Sequence, residues 1–184
     1  MLMQKDNGKN RSTSNEVTKT LINALQSIND ADLKKDVELI KVENAAEVST
    51  GENKKCYLVH VSEDSVKPLH KVHAEVVKKL ETKFSNPVVL VPTRKKINGN
   101  LFRTYRGKKV PRKQTLTSVY DAWLEDVLYP AVIVGKRVRY PKGKTRLFKV
   151  FVDSQDKGSV EHKLNAVVAS YKALTNRELQ VEFQ

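Results

Sequence analysis

Residues 56–91 spell a strand, a helix and a second strand in close succession, and few folds accommodate that order. Cys56-Tyr57-Leu58-Val59-His60-Val61 is short and uncharged apart from its histidine, as suits a strand covered on both faces. Val66, Leu69, His73, Val76, Val77, Leu80 and Phe84 then recur at helical spacing over about five turns. Pro87 opens a second apolar run, Val88-Val89-Leu90-Val91. Such a unit must cross over, which sets its two strands parallel and its connection right-handed.

Weaker signals extend the pattern in both directions. Thr13 with Glu16 has the form of a capping box, and Val17, Leu21, Ala24, Leu25 and Ile28 predict a helix over 14–29. Val37 to Val48 is a blurred strand candidate. Thr115 or Thr117 can cap a helix with the stripe Leu116, Val119, Tyr120, Trp123, Val127, stopped by Pro130. From Val134 to Asp153 two β-rich arms flank Pro141-Lys142-Gly143-Lys144 and read as a hairpin. Ser159 can cap a helix carrying Val160, Leu164, Val167, Val168, Tyr171 and Leu174, and Leu179 to Phe183 predicts a closing strand. No internal repeat is visible. The expected fold is α/β (mixed α+β): a mixed sheet with a βαβ unit and a basic β-hairpin, flanked by about four helices. Residues 1–12 read as a flexible tail, and 13–184 as a single domain interrupted by one long basic loop, 94–113.

Charge is where the chain departs from an ordinary surface. Between Arg94 and Lys113 there are nine Lys or Arg residues and no Asp or Glu; Lys136 to Lys149 adds seven more, again without an acid. Removing both segments leaves 18 basic residues against all 21 acidic ones, a net of −3 in a chain whose total is +13. Soluble surfaces intersperse the two signs, because a single-sign field repels itself. Concentrated positive charge of this kind answers to polyanions. The longer segment also interleaves Phe102 and Tyr105 with Arg103 and Arg106, offering rings for unpaired bases beside charges for phosphates. Gly99, Gly107 and Pro111 oppose a helix there, so an arm that orders on RNA is expected. The candidate RNA contacts are Arg94, Lys95, Lys96, Arg103, Tyr105, Arg106, Lys108, Lys109, Arg112 and Lys113 in the arm. The hairpin adds Lys136, Arg137, Arg139, Lys142, Lys144 and Arg146. These groups would position the protein on a backbone rather than read a base sequence.

Other functional classes find little support. The basic segments lack the apolar anchors of a membrane-surface helix, no apolar run approaches a membrane span, and the N-terminus has no signal-peptide core. A single cysteine, Cys56, permits no internal disulfide and suits a reducing compartment. His70 and His73 could share a helix face, but a third ligand of recognised spacing is missing, and His73 falls in the apolar stripe. Cys56 and His60 lie about 13 Å apart on a strand, too far for a nucleophile and its base. Asp121 and Glu125 flank Trp123 and read more simply as solvated acids facing basic neighbours. No phosphate-binding glycine loop or nucleophile elbow occurs, so neither an enzyme nor any cofactor or metal is expected.

The block Val110-Pro111-Arg112-Lys113-Gln114-Thr115-Leu116-Thr117-Ser118-Val119-Tyr120-Asp121 is distinctive. So are Leu124-Glu125-Asp126, Tyr129-Pro130 and Ile133-Val134-Gly135-Lys136-Arg137-Val138-Arg139-Tyr140. Together with Val160-Glu161-His162-Lys163-Leu164, Tyr171 to Thr175 and the closing Val181-Glu182-Phe183, they resemble the eukaryote-specific ribosomal protein seven family of the small subunit. The resemblance covers roughly residues 54–184. It implies a structural constituent of the cytosolic ribosome that binds small-subunit ribosomal RNA and touches neighbouring ribosomal proteins. It also implies a part in subunit assembly and RNA maturation beginning in the nucleolus, without a membrane or a small-molecule substrate. Where the family pattern carries Arg, this chain has Gln114, and its loop 97–110 is less densely basic. The alternative is an RNA-processing enzyme or RNA chaperone acting outside the ribosome.

Overall fold

A computed structural model describes residues 18–23, 37, 39–51, 54–97, 111–143 and 145–184. They form two compact units, Met1–Pro92 and Thr93–Gln184. The expected helix over 14–29 is described only at 18–23, which is helical and buries Leu21 completely.

In the first unit β1 (Val42–Ser49) and β2 (Lys55–Val61) form an antiparallel pair, and α1 (Val66–Phe84) leads to β3 (Val88–Pro92). β3 pairs parallel to β2, as the crossover requires. The blurred strand signal over 37–48 therefore resolves to β1, with Val37 buried beside it. Leu69, Val72, Val76, Val77 and Leu80 of α1 pack on Ala45, Val59, Val61, Val88 and Leu90 of the sheet. Tyr57 and Phe84 close one edge of this core, with ring centroids 5.3 Å apart. The alternate positions Cys56, Leu58, Val89 and Val91 are buried too, which is why β2 and β3 read as continuous apolar runs rather than alternating ones.

The second unit holds α2 (Leu116–Leu128), β4 (Ile133–Arg139), β5 (Leu147–Val152), α3 (Leu164–Thr175) and β6 (Glu178–Phe183). β4 and β5 are the expected hairpin, and β6 lies parallel to β5. α2 packs against α3, and α3 against β6. α2 buries Val119, Trp123 and Val127 as its stripe predicts, but Leu124 and Leu128 complete that face while Leu116 stays exposed. Thr115 is its N-cap residue; its hydroxyl donates to the Arg112 carbonyl at 2.7 Å instead of accepting from the helix. Ser159 likewise donates to the Asp156 carbonyl at 2.7 Å, within short turns that precede α3. α3 therefore starts four residues later than the capping signal implies, with Lys163 rather than Ser159 at its N-cap.

The strands divide between two three-stranded mixed sheets, and the second repeats the first. Both have the order first–second–third, antiparallel then parallel, at a constant offset of 91 residues: Val42 pairs with Val61, Ile133 with Val152. Each first strand shifts register at the same step, Val42/Asn44 and Ile133/Gly135. Each crossover helix ends on a left-handed residue, Ser85 at φ 53° and Asn176 at φ 55°. Over these 51 aligned positions only Val59/Val150, Val61/Val152, Val76/Val167 and Val77/Val168 are identical. The repeat lives in burial, not identity, and so no self-similarity shows in the sequence. Leu69, Val72, Val76 and Leu80 are buried in one unit, and their counterparts Val160, Lys163, Val167 and Tyr171 in the other.

Candidate nucleic-acid interface

The two units differ sharply in charge. Residues 1–92 hold 14 basic and 13 acidic residues, a net of +1; residues 93–184 hold 20 and 8, a net of +12. Both acid-free segments belong to the second unit.

The long segment springs from a fixed base. Arg94 is not a free cation: its guanidinium grips Asp126 of α2 through contacts of 2.9, 3.0 and 2.7 Å, with only 9% of the Asp126 side chain exposed. Such bidentate, partly desolvated pairing is strong and geometrically specific. Lys96 lies 5.8 Å from the Trp123 ring centroid, and the Ile97 amide donates to the Gln114 carbonyl at 3.0 Å. Positions 97 and 114 are thus tied through backbone, so the departure at Gln114 leaves the anchor intact. Lys95, Arg112 and Lys113 are exposed. Arg103, Tyr105, Arg106, Lys108 and Lys109 lie outside the described residues, as does Lys144 in the hairpin.

In the second segment Lys136, Arg137, Arg139, Lys142 and Arg146 are all exposed. Strand alternation sends them to two faces. Lys136 reaches Asp121 of α2 at 2.8 Å, an exposed pair of little energetic weight. Arg137 projects to the other face, its guanidinium 5.3 Å from the Phe151 ring centroid, with the Lys149 ammonium 5.4 Å from the same ring. Lys149, which sequence reasoning passed over, is mostly buried and paired with Glu182 of β6. Arg139 and Lys142 are exposed on the hairpin's outer end, and Gly143 turns the chain there at φ +71°, where a residue with a Cβ is strained.

Sequence reasoning also missed how the helix side of the second sheet is held. The Arg177 guanidinium sits 4.5 Å from the Tyr120 ring and 4.6 Å from that of Phe148, between α2 and β5. A lone arginine past a helix end carries no signal of two rings that come from elsewhere in the chain.

The residues weighed for catalysis do not converge. Cys56 is wholly buried in β2, and burial pushes the His60 imidazole below its usual value of 6.5, against a small opposing pull from Glu43. His73 is 6% exposed in the α1 stripe, whereas His70 faces outward. Among the described residues no group of three or more His, Cys, Asp or Glu could hold a metal ion, and no helix is long and apolar enough to cross a membrane.

Known proteins align with this chain along most of its length. Residues 2–183 match ribosomal protein S7e. "Small ribosomal subunit protein eS7" of Secale cereale is 35% identical over 184 residues, covering 98% of this chain and 93% of the relative. The protein of the same name from Avicennia marina is 37% identical over 155 residues, 83% of this chain and 80% of that one. That of Manduca sexta is 38% identical over 156 residues, with 83% and 82% covered.

Proposed function

The chain belongs to the ribosomal protein S7e family, and we propose that it serves as a structural constituent of the small subunit of the cytosolic ribosome. It is a structural protein, not an enzyme. In this reading the second unit holds small-subunit ribosomal RNA through the segments 94–113 and 136–149, and neighbouring ribosomal proteins complete its surroundings. By fixing RNA in place it supports subunit assembly and RNA maturation, from the nucleolus onward.

The observation that carries the RNA reading is the placement of charge: +12 of the net +13 sits in one unit, in acid-free segments whose described side chains are largely exposed. Eight acids in that unit cannot neutralise twenty bases, so the surplus is available to an external polyanion. Arg94 and Lys136 are partly satisfied within the protein, which leaves Arg112, Lys113, Arg139 and Lys142 as better partners for phosphate.

Filter binding of the full-length protein to a small-subunit ribosomal RNA fragment tests this. Affinity should fall steeply with salt, and reversing Arg112, Lys113, Arg139 and Lys142 to Glu should weaken it by more than about tenfold. The log–log salt slope should drop by about 0.9 for each phosphate that the reversed protein leaves unneutralised, borrowing the duplex-DNA value. An unchanged affinity in the reversed protein would refute the assignment.

A further inference from the structure

The repeat makes one departure in the second unit conspicuous. In the first hairpin the last cross-strand pair is Ser49 with Lys55, and the Lys55 ammonium is bound by Glu47 at 3.1 Å. At the same offset of 91 the second hairpin has Tyr140 and Arg146, and Val138 where Glu47 stands. The fold therefore closes its first hairpin with a small polar residue; it has no need of a ring there. Yet Tyr140 is 68% exposed and so contributes little to any core. Its ring is held by the Arg146 guanidinium, 5.3 Å from the centroid. Pro141 next in sequence restricts Tyr140 to extended backbone, which further fixes where the ring projects.

We infer that Tyr140 and Arg146 form a stacking site for an unpaired RNA base at the hairpin's end. This rests on the RNA-binding reading above and names what one part of that surface recognises. An exposed ring backed by a guanidinium offers a π-face to any base, while a duplex keeps its bases stacked on one another. Arg139 and Lys142, exposed on either side of Tyr140 in sequence, supply charge for the flanking phosphates. No Asp or Glu lies between 136 and 149 to repel them. Recognition of this kind is tolerant of base identity and intolerant of pairing.

The experiment compares two RNAs with the full-length protein: a short stem closed by an unpaired uridine loop, and the same stem as a blunt duplex. Tyr140→Ala should weaken binding to the looped RNA about tenfold, within what one base–aromatic stack contributes, and leave the duplex almost untouched. Tyr140→Phe should behave as wild type. Abasic sites introduced along the loop should cost wild type a similar factor at one position and cost Tyr140→Ala nothing further there. If Tyr140→Ala weakens binding to both RNAs equally, or to neither, the stacking site is overturned, while salt-dependent binding by wild type leaves the phosphate reading standing. Failure of wild type to bind either RNA sinks both. Circular dichroism of Tyr140→Ala should match wild type, since the side chain is exposed.

Discussion

Arg94 shows how a residue's chemistry can outrun its sequence context. It opens the longest basic run in the chain, yet its guanidinium is committed to Asp126, 32 positions away. With the Arg94 side chain 26% exposed and Asp126 9%, the pair is screened only in part. Removing Arg94 takes the bidentate guanidinium away from a carboxylate that is largely desolvated, a loss costlier than the pair is favourable. Arg94→Ala should therefore lower stability by about 2 kcal/mol, after a discount for the exposed side of the guanidinium. Arg94→Ala with Asp126→Ala should cost less than the sum of the single changes. Urea unfolding of the three variants measures this; strict additivity would mean that the two side chains are independent. RNA affinity should fall far less for Arg94→Ala than for reversal of Arg112 and Lys113.

Among elements, the helices show what local pattern reveals and what it hides. α1 was legible because Leu69, Val76, Val77 and Leu80 lie on one helix face, and a 19-residue run gives that periodicity room to register. The hairpin and the closing strand were legible for similar local reasons. Sheet membership was not: a strand's own residues say that it is half-buried, not which strand lies beside it, so two sheets look like one. Nor was the start of α3, because Ser159 satisfies a short turn as well as it would a helix. At the interface, the acid-free runs stood out, but the partners of Arg94, Lys136 and Arg177 come from distant positions and leave no local trace. Helix ends yield a sharper test. α1 and α3 both stop on a left-handed residue, Ser85 and Asn176, each donating its amide to the carbonyl four residues back at 2.8 Å. Serine adopts that backbone at a cost, whereas asparagine tolerates it and glycine is free of it. Ser85→Gly should raise stability by about 0.5 kcal/mol once the greater freedom of the unfolded chain is subtracted, and Asn176→Gly should gain less. Urea unfolding of both variants measures the difference. A gain at Asn176 equal to that at Ser85 would show that the backbone, not the side chain, sets both ends.

On the scale of the whole molecule, two units with one topology have come to carry very different charge, +1 and +12. Folding the second gathers its positive charges, and its acids are too few to offset them. Asp121, Asp126, Glu161 and Glu182 are already taken by Lys136, Arg94, Lys157 and Lys149. Repulsion among the remainder opposes the folded state of the free protein. Salt relieves it: going from about 0.01 to 0.1 M shortens the screening length from roughly 30 to roughly 10 Å. The thermal midpoint of the isolated protein should therefore rise over that range, opposite to a protein whose exposed ion pairs dominate. Reversal of Arg112, Lys113, Arg139 and Lys142 to Glu moves the second unit by eight charges, from +12 to +4, and should flatten the salt response. A short polyphosphate at fixed ionic strength should raise the wild-type midpoint further, because a ligand that binds the folded state stabilises it by mass action. If the midpoint falls with salt instead, attraction outweighs repulsion in the free chain, and the surplus charge does not destabilise it in the absence of RNA.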